Sequence, residues 1–213
     1  MKAEDRQNDL LRRLIQTETE CREKGYRLIA GADEAGRGPL AGPVVAACVI
    51  LPEGKLIPGV NDSKKLSEKK REELYEKIIG TALAYGTGIV ERDVIDRINI
   101  LNATRLAFNK AVGFMKIQPD YLYTDYIDRL DVACPWTPVK KGDAKIYSVA
   151  AASIVAKVTR DRIMREYDKI YPAYGFGKHK GYGTRMHVLA IIEFGPSPLH
   201  RQSFIKNIAE SVK

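Results

Sequence analysis

"RLIAGADEAGRGPLAGPVVAACVIL", residues 27–51, contains two short apolar runs that glycines and prolines separate. The runs cover residues 27–32 and 44–51, and apolar runs bounded in this way are typical of β-strands. The stretch therefore predicts a β-hairpin. Two acids, Asp33 and Glu34, directly follow the first run, and Arg37 lies between two glycines shortly afterwards. Charged groups are thus expected to gather where the first strand ends.

The rest of the chain predicts helices packed on a sheet that contains this hairpin. Helical spacing or capping signals predict helices at residues 5–24, 68–79, within 142–171 and around 188–194. Ser67 and Gly80 are the start and stop signals of the second helix. A further helix, residues 98–115, has a stripe formed by Leu101, Arg105, Phe108, Val112 and Met115.

Further strands are predicted at residues 82–90 and 121–126. After the first helix, the predicted elements follow in the order strand, strand, helix, strand, helix, strand and helix. This order predicts a mixed sheet with helices packed on it. Since no internal repeat or linker divides the chain, we expect one α/β domain.

Length and charge narrow the class of protein. The chain has 213 residues and 45% apolar content, which suffices for one sizeable core without disulfides or structural metals. Its 35 Lys and Arg against 27 Asp and Glu give a net charge of +8. A nucleic acid is therefore a plausible partner, because clustered cations gain affinity by displacing counterions from phosphates. The alternative is a soluble protein that happens to be basic.

The cysteines and the apolar segments bear on location. Cys21, Cys48 and Cys134 are odd in number and have no C-x-x-C spacing, so neither a disulfide framework nor a zinc site is indicated. The first residues lack the apolar core of a signal peptide, and no segment reaches the length of a bilayer span. We expect a cytoplasmic protein that is neither secreted nor membrane-bound.

Four acids lie at the ends of predicted elements: Asp33, Glu34, Asp125 and Asp143. Each has an ordinary explanation, because aspartate is common in turns, at exposed strand positions and in the first turn of a helix. If the four converged, however, they would form the oxygen-rich cluster that Mg²⁺ prefers and that a two-metal phosphodiesterase needs.

The adjacent pair of acids sets a geometric condition. Neighbouring residues on a strand point to opposite faces, so Asp33 and Glu34 can face one metal site only if the backbone turns at Glu34. Gly36 and Gly38 would make such a turn easy.

Other motif classes are excluded by inspection. The chain has no G-x-G-x-x-G, no G-x-x-x-x-G-K-[ST] and no G-x-S-x-G motif. His179, His187 and His200 lack the spacing of metal ligands, and we expect them at the surface or in the C-terminal tail.

Several blocks in order resemble bacterial type 2 ribonuclease H. They are "LIAGADEAGRGPLAGPVVAACVIL", "NDSKKLSEKKREEL", "GDAKIYSVAAASIVAKVTRDRIM", "YGFGKHKGYGT" and "GPSPLHRQSF", and together they span residues 27–204. The resemblance implies a ribonuclease H-like fold, a mixed five-stranded sheet flanked by helices with a C-terminal helical extension. The first 26 residues fall outside the resemblance, so we expect an N-terminal helical extension at residues 1–26 and a catalytic domain at residues 27–213.

The resemblance further implies an activity. By position, Asp33, Glu34, Asp125 and Asp143 would bind Mg²⁺ or Mn²⁺. The enzymes of this family cut the RNA strand of RNA/DNA hybrids and nick duplex DNA 5′ to a single ribonucleotide. The nick leaves 3′-hydroxyl and 5′-phosphate ends and begins ribonucleotide excision repair. A monomer with no obligate protein partner is expected.

Substrate-binding residues follow from the same resemblance. Gly36, Arg37 and Gly38 would form the loop that recognises the ribonucleotide's 2′-hydroxyl, Tyr182 would pack on the next sugar, and Lys64 would bind phosphate. From the residues alone, Tyr182 could equally be a loop aromatic, and Lys64 could lie at a solvated helix entrance.

Two further points remain open from the residues. Asp128 and Asp131 follow Asp125 closely. We prefer Asp125 as the third acid because it ends the strand-like run. Two alternatives remain to this nuclease: a basic hybrid-binding protein without catalysis, and a type 3 ribonuclease H, which would carry a larger N-terminal domain.

Overall fold

A mixed sheet of five strands forms the centre of the protein. The computed structural model describes residues 3–210, with side chains for residues 11–208. The strands are β1 (Ile29–Ala35), β2 (Val44–Ile50), β3 (Ala84–Val90), β4 (Tyr121–Asp125) and β5 (Trp136–Val139). Their order is β3-β2-β1-β4-β5. β1, β2 and β3 pair antiparallel, whereas β4 runs parallel to both β1 and β5. The predicted hairpin and mixed five-stranded sheet are confirmed.

Helices cover both faces of this sheet. The helices of the described residues are, in chain order, α1 (Ala3–Glu23), α2 (Glu68–Thr81), α3 (Arg92–Gly113), α4 (Tyr147–Ile170), α5 (Phe176–His179), α6 (Arg185–Phe194) and α7 (Gln202–Glu210). One apolar cluster joins α1, α2 and α4 to one face of β2, and a second joins α3 to the other face. Every residue of β2 is buried, as expected for a central strand covered on both sides.

Helices also lie at both ends of the described part of the chain. Leu11 and Leu14 of α1 are buried in the cluster that contains α4, and α5, α6 and α7 form the C-terminal helical region. The division of the chain at residue 26 stays a prediction. Within residues 3–210, no helix combines the length and apolar character needed to cross a membrane.

Three details differ from the sequence-based expectations. β5 was not identified from the residues because it is a short edge strand containing Pro138, and proline is usually a signal against a strand. The helix around residues 98–115 begins earlier, at Arg92, and Asn99 interrupts it with φ of 64°. Past this kink Leu101 is exposed, whereas Phe108, Val112 and Met115 of the same stripe are buried. α2 continues through Gly80 to Thr81.

The small residues of α4 bring it close to β1. Ala150, Ala151, Ala152 and Ser153 are buried, as a close approach of this helix to its neighbours requires. A Cβ added to Gly31 on β1 would lie 2.1 Å from the Ser148 carbonyl carbon. The backbones of α4 and β1 therefore meet with no room for a side chain between them.

Gly31→Ala is expected to destabilise the protein. The added methyl group would meet backbone rather than a movable side chain, so we expect a loss near the upper end of the about 1–3 kcal/mol typical of overpacking. Gly80→Ala is the matched control, because no heavy atom within 4 Å opposes a Cβ at this helical position. Alanine should stabilise the helix there by about 0.5–1 kcal/mol. Denaturant unfolding of both variants tests the prediction, and equal stabilities would contradict it.

Candidate active site

The predicted acids lie at one edge of the sheet. β1 and β4 are parallel neighbours with Ala32 opposite Thr124, so Asp33 and Asp125 come next to each other at the ends of these strands. Asp143 lies in a 3₁₀ turn, Gly142–Ala144, just before α4. The Gly142 amide donates a hydrogen bond of 2.9 Å to Asp125 Oδ1, which ties this turn to β4. Three separate segments thus place an aspartate at the same point.

Asp33, Asp125 and Asp143 form a close carboxylate cluster. One oxygen from each lies within 4.8 Å of the others. Burial, together with the neighbouring carboxylates of Glu34 and Asp125, raises the pKa of Asp33 well above its usual range. Burial also raises the pKa of Asp143, against the opposing effect of Lys64. Carboxylates held together at such cost have the donor chemistry of a site for a hard divalent cation.

Glu34 borders this cluster without belonging to the group of three. The turn at Glu34 that would let both acids face one metal site is absent: β1 continues to Ala35, and the chain turns at Gly36, whose φ is 100°. Arg37 Nη1 lies 3.3 Å from Glu34 Oε1. Burial raises the pKa of Glu34, Arg37 lowers it, and Asp125 raises it further. Glu34 is therefore within electrostatic reach of the cluster while paired with an arginine.

Lys64 brings a positive charge to the acids. Its Nζ lies 3.4 Å from Asp143 Oδ2, and the side chain is otherwise exposed. Burial acts to lower the pKa of Lys64, but the carboxylates of Asp143 and Asp33 outweigh it and raise the pKa. Lys64 thus remains a cation at the rim of the cluster, available to a phosphate.

A pocket of about 200 Å³ beside the acids is lined by the predicted substrate-binding residues. Its lining includes Asp33, Glu34, Gly36, Arg37, Gly38, Lys64, Asp125 and Tyr182. Asp143 adjoins the pocket through the carboxylate cluster and Lys64. The structure therefore brings all nine residues together, although they come from segments that are far apart in the sequence.

Lys157 is a lining residue that the sequence analysis missed. It lies on α4, where its Nζ is 2.7 Å from Asp161 Oδ1 and 5.8 Å from the ring centre of Tyr182. Burial lowers its pKa, which Asp161 partly restores. The spacing of Lys157 and Asp161 predicts an ion pair on a helix. Nothing in that spacing tells which side of the helix faces the pocket.

Two buried arginines hold the glycine-flanked loop in place. Arg201 donates to the carbonyl oxygens of Gly36 at 2.6 Å, Arg37 at 2.9 Å and Gly42 at 3.0 Å. Its side chain is fully buried, and burial lowers its pKa to about 9. A residue near the C-terminus thus fixes the loop that follows β1. The sequence analysis had not identified this role.

Arg160 does the same for the second half of the loop. It donates to the carbonyl oxygens of Pro43 at 2.9 Å, Ala41 at 3.1 Å and Lys180 at 2.9 Å. Through these bonds α4 connects the loop after β1 with the segment that carries Tyr182. Burial lowers the pKa of Arg160 to about 10.

The expectation for the histidines was wrong. His179, His187 and His200 are buried and contact one another beneath the Tyr182 segment. A histidine can be buried at low cost when both ring nitrogens have hydrogen-bond partners, and the sequence carries no signal for such pairing.

Comparisons with known proteins agree on one family. The sequence model of the family described as "Ribonuclease HII" matches residues 30–207. The chain is 57% identical over 190 residues to a ribonuclease HII of Acetivibrio thermocellus, covering 89% of this chain and 74% of that protein. It is 56% identical over 187 residues to one from Geobacter sulfurreducens, covering 88% of this chain and 86% of that protein. A solved ribonuclease H2 from Pyrococcus horikoshii has a TM-score of 0.74 and 29% identity, covering 86% of this chain and 98% of the other.

Proposed function

The chain belongs to the ribonuclease HII family and is a ribonuclease H endonuclease acting on RNA/DNA hybrids; we propose that it also nicks duplex DNA 5′ to single embedded ribonucleotides. The observation that carries this proposal is the pocket in which the carboxylate cluster lies beside the Gly36–Gly38 loop and Tyr182. The products would be 3′-hydroxyl and 5′-phosphate ends, and the role would be to begin ribonucleotide excision repair.

The carboxylate cluster fits Mg²⁺ or Mn²⁺, and we propose one of these as the cofactor. Asp33, Asp125 and Asp143 supply only oxygen donors, which hard cations prefer, and Glu34 adds a fourth carboxylate at the border. When bound, paired ions of this kind activate a water molecule and stabilise the charge that develops on the phosphate. Asp33, Asp125 and Asp143 would hold their carboxylate oxygens close together before the substrate binds.

Recognition of the 2′-hydroxyl would use the backbone of the Gly36–Gly38 loop. Arg201 occupies the carbonyl oxygens of Gly36 and Arg37, so the amide groups are what the loop can offer to a sugar. A Cβ at Gly38 would lie 3.9 Å from the Tyr182 ring, so the absence of a side chain leaves a slot between them. The 2′-hydroxyl is the group that distinguishes RNA from DNA, and a slot with backbone donors suits it.

The cations at the rim of the pocket would bind the phosphates. Arg37 and Lys64 are both exposed there, each with one carboxylate partner that a bound phosphate could replace or share. From the resemblance to its family, we propose a monomer with no obligate protein partner. We propose the cytoplasm as its location, because the three cysteines are free thiols.

A nicking assay tests this function. A labelled DNA duplex containing one ribonucleotide and its all-DNA twin are each incubated with the protein, with and without Mg²⁺. We expect metal-dependent cleavage 5′ to the ribonucleotide and an intact twin. A protein that binds both duplexes in a salt-sensitive manner and cuts neither would instead be the basic hybrid-binding protein.

A further inference from the structure

Three buried histidines connect the C-terminal segment to the loop that carries Tyr182. His187 Nε2 and His200 Nε2 lie 2.9 Å apart, and His187 Nδ1 lies 3.0 Å from the carbonyl oxygen of Tyr182. The ring of His179 stacks on that of His187 with centres 4.3 Å apart. These rings are the packing directly beneath the Tyr182 segment, and none of them lines the pocket.

The hydrogen bonds fix the proton position on each ring of the chain. The Ser197 amide donates to His200 Nδ1 at 2.9 Å and the Ser197 hydroxyl, at 2.8 Å, can donate to it as well, so we assign no proton to this nitrogen. Neutral His200 then has its proton on Nε2 and donates it to His187 Nε2. That leaves the proton of His187 on Nδ1, from which it donates to the carbonyl oxygen of Tyr182. The chain therefore runs in one direction, from Ser197 to Tyr182.

His179 binds Gly181, the residue before Tyr182, through a hydrogen bond that also defines the tautomer of His179. The Gly181 amide donates to His179 Nδ1 at 3.1 Å, and His179 Nε2 donates to the carbonyl oxygen of Tyr174 at 2.8 Å. Gly181 and Tyr182 are thus each bonded to a histidine with a defined tautomer. A proton added to any ring would place two donors opposite each other and break a bond.

The Tyr182 side chain depends on this backbone support. The ring is 43% exposed, and the cations nearest its face, Lys157 and Arg160, lie 5.8 and 5.9 Å from its centre. Its carbonyl oxygen, by contrast, accepts from both His187 Nδ1 and the Thr184 amide, the latter at 2.8 Å. The position of the ring over the pocket is therefore set mainly through its own backbone.

We propose that His187 and His200 are positioning residues that hold Tyr182 against the sugar that follows the ribonucleotide. That sugar is a deoxyribose beside a single ribonucleotide and a ribose in a continuous hybrid, so the two histidines thereby raise selectivity for the single ribonucleotide. The inference rests on the proposed nicking function. Burial lowers the pKa of His187 and of His200 to about 4, so both rings keep the neutral forms that the chain requires near neutral pH.

Two substitutions at one position separate positioning from packing. In His187→Asn the side-chain amide lies where Nδ1 was and can still donate to the Tyr182 carbonyl oxygen. In His187→Gln the amide lies nearer the place of Nε2, where it can meet His200 but not Tyr182. Both variants lose the ring stacked on His179, so loss of packing is matched between them.

The readout is the ratio of kcat/KM for a single-ribonucleotide duplex to kcat/KM for a continuous RNA/DNA hybrid. We expect His187→Gln to lower this ratio about 10-fold, the value of one buried hydrogen bond, and His187→Asn to stay close to the wild-type ratio. Equal ratios in the two variants, or a fall on both substrates in proportion to the folded fraction, would overturn the proposal. If the wild-type protein fails to nick the single-ribonucleotide duplex, the proposed function fails instead.

A second measurement needs no variant. The ¹⁵N shifts of the wild-type histidines report which ring nitrogen carries the proton. We expect the proton of His187 on Nδ1 and that of His200 on Nε2, with the His187 signal shifting on addition of an uncleaved single-ribonucleotide duplex in metal-free buffer but not of its all-DNA twin. The opposite tautomers, or equal shifts with both duplexes, would overturn the proposal even if neither His187 variant folds.

Discussion

Asp33→Asn is expected to lower cleavage of the RNA strand by about 10³-fold or more while changing hybrid affinity by less than about 3-fold. Asparagine keeps the shape of the side chain but removes the charge that a cation requires of its ligands. Hybrid binding would be carried by lysines and arginines away from this carboxylate, so it should persist. Single-turnover cleavage rates and fluorescence anisotropy on the same labelled hybrid measure the two effects separately.

The same substitution should not unfold the protein. Burial and the neighbouring carboxylates raise the pKa of Asp33, which means that its charged form is held against an unfavourable field. Removing that charge relieves the field, so the Tm of the metal-free variant should equal or exceed that of the wild type. A lost activity accompanied by a lower Tm would point to misfolding instead.

Asp128→Asn is the matched control for the choice of acids. Asp128 is exposed and bonds to Arg105 at 2.6 Å, and it lies outside the carboxylate cluster although it follows Asp125 closely in the sequence. Its replacement should leave cleavage within about 2-fold of wild type, as expected of a surface ion pair. Full activity in Asp33→Asn, or loss of activity in Asp128→Asn, would contradict the assignment.

The sequence placed the acids at the ends of predicted elements but could not bring them together. Apolar runs that end in Asp33 and Asp125 predicted strands, and Asp143 opened a helix, all from local patterns. Their convergence depends on the parallel pairing of β1 with β4, which residues nearly a hundred positions apart determine. Local periodicity carries no information on such pairing, so the cluster was a hypothesis until the sheet order was known.

The basic residues illustrate a different limit. Net charge counts Arg160 and Arg201 as surface cations available to a nucleic acid, yet both are fully buried and donate to backbone carbonyl oxygens. The histidines were misplaced for the same reason. Their burial depends on hydrogen bonds between segments that have no regular pattern, so polar residue type alone pointed to the surface.

Arg201→Lys is expected to destabilise the protein by roughly 3–5 kcal/mol, the cost of leaving more than one buried carbonyl without a donor. The guanidinium reaches three carbonyl oxygens at once, those of Gly36, Arg37 and Gly42. An ammonium is a single point with a shorter reach and cannot span all three. Loss of these bonds would loosen the loop beside the carboxylates, so kcat/KM should fall further than the folded fraction does.

Arg97→Lys is the control for the replacement of an arginine by lysine at a position where no buried carbonyl oxygen loses a donor. Arg97 is exposed on α3 and lies 3.6 Å from Asp93, so lysine should keep the pairing and change stability by less than about 0.5 kcal/mol. Denaturant unfolding measures the stability of both variants. Cleavage rates at a temperature where both are folded then report the effect of the loop on activity alone. An Arg201→Lys protein as stable and as active as Arg97→Lys would mean that the loop after β1 holds its shape without the buried guanidinium. The hydrogen bonds from Arg201 to this loop would then contribute to neither stability nor activity.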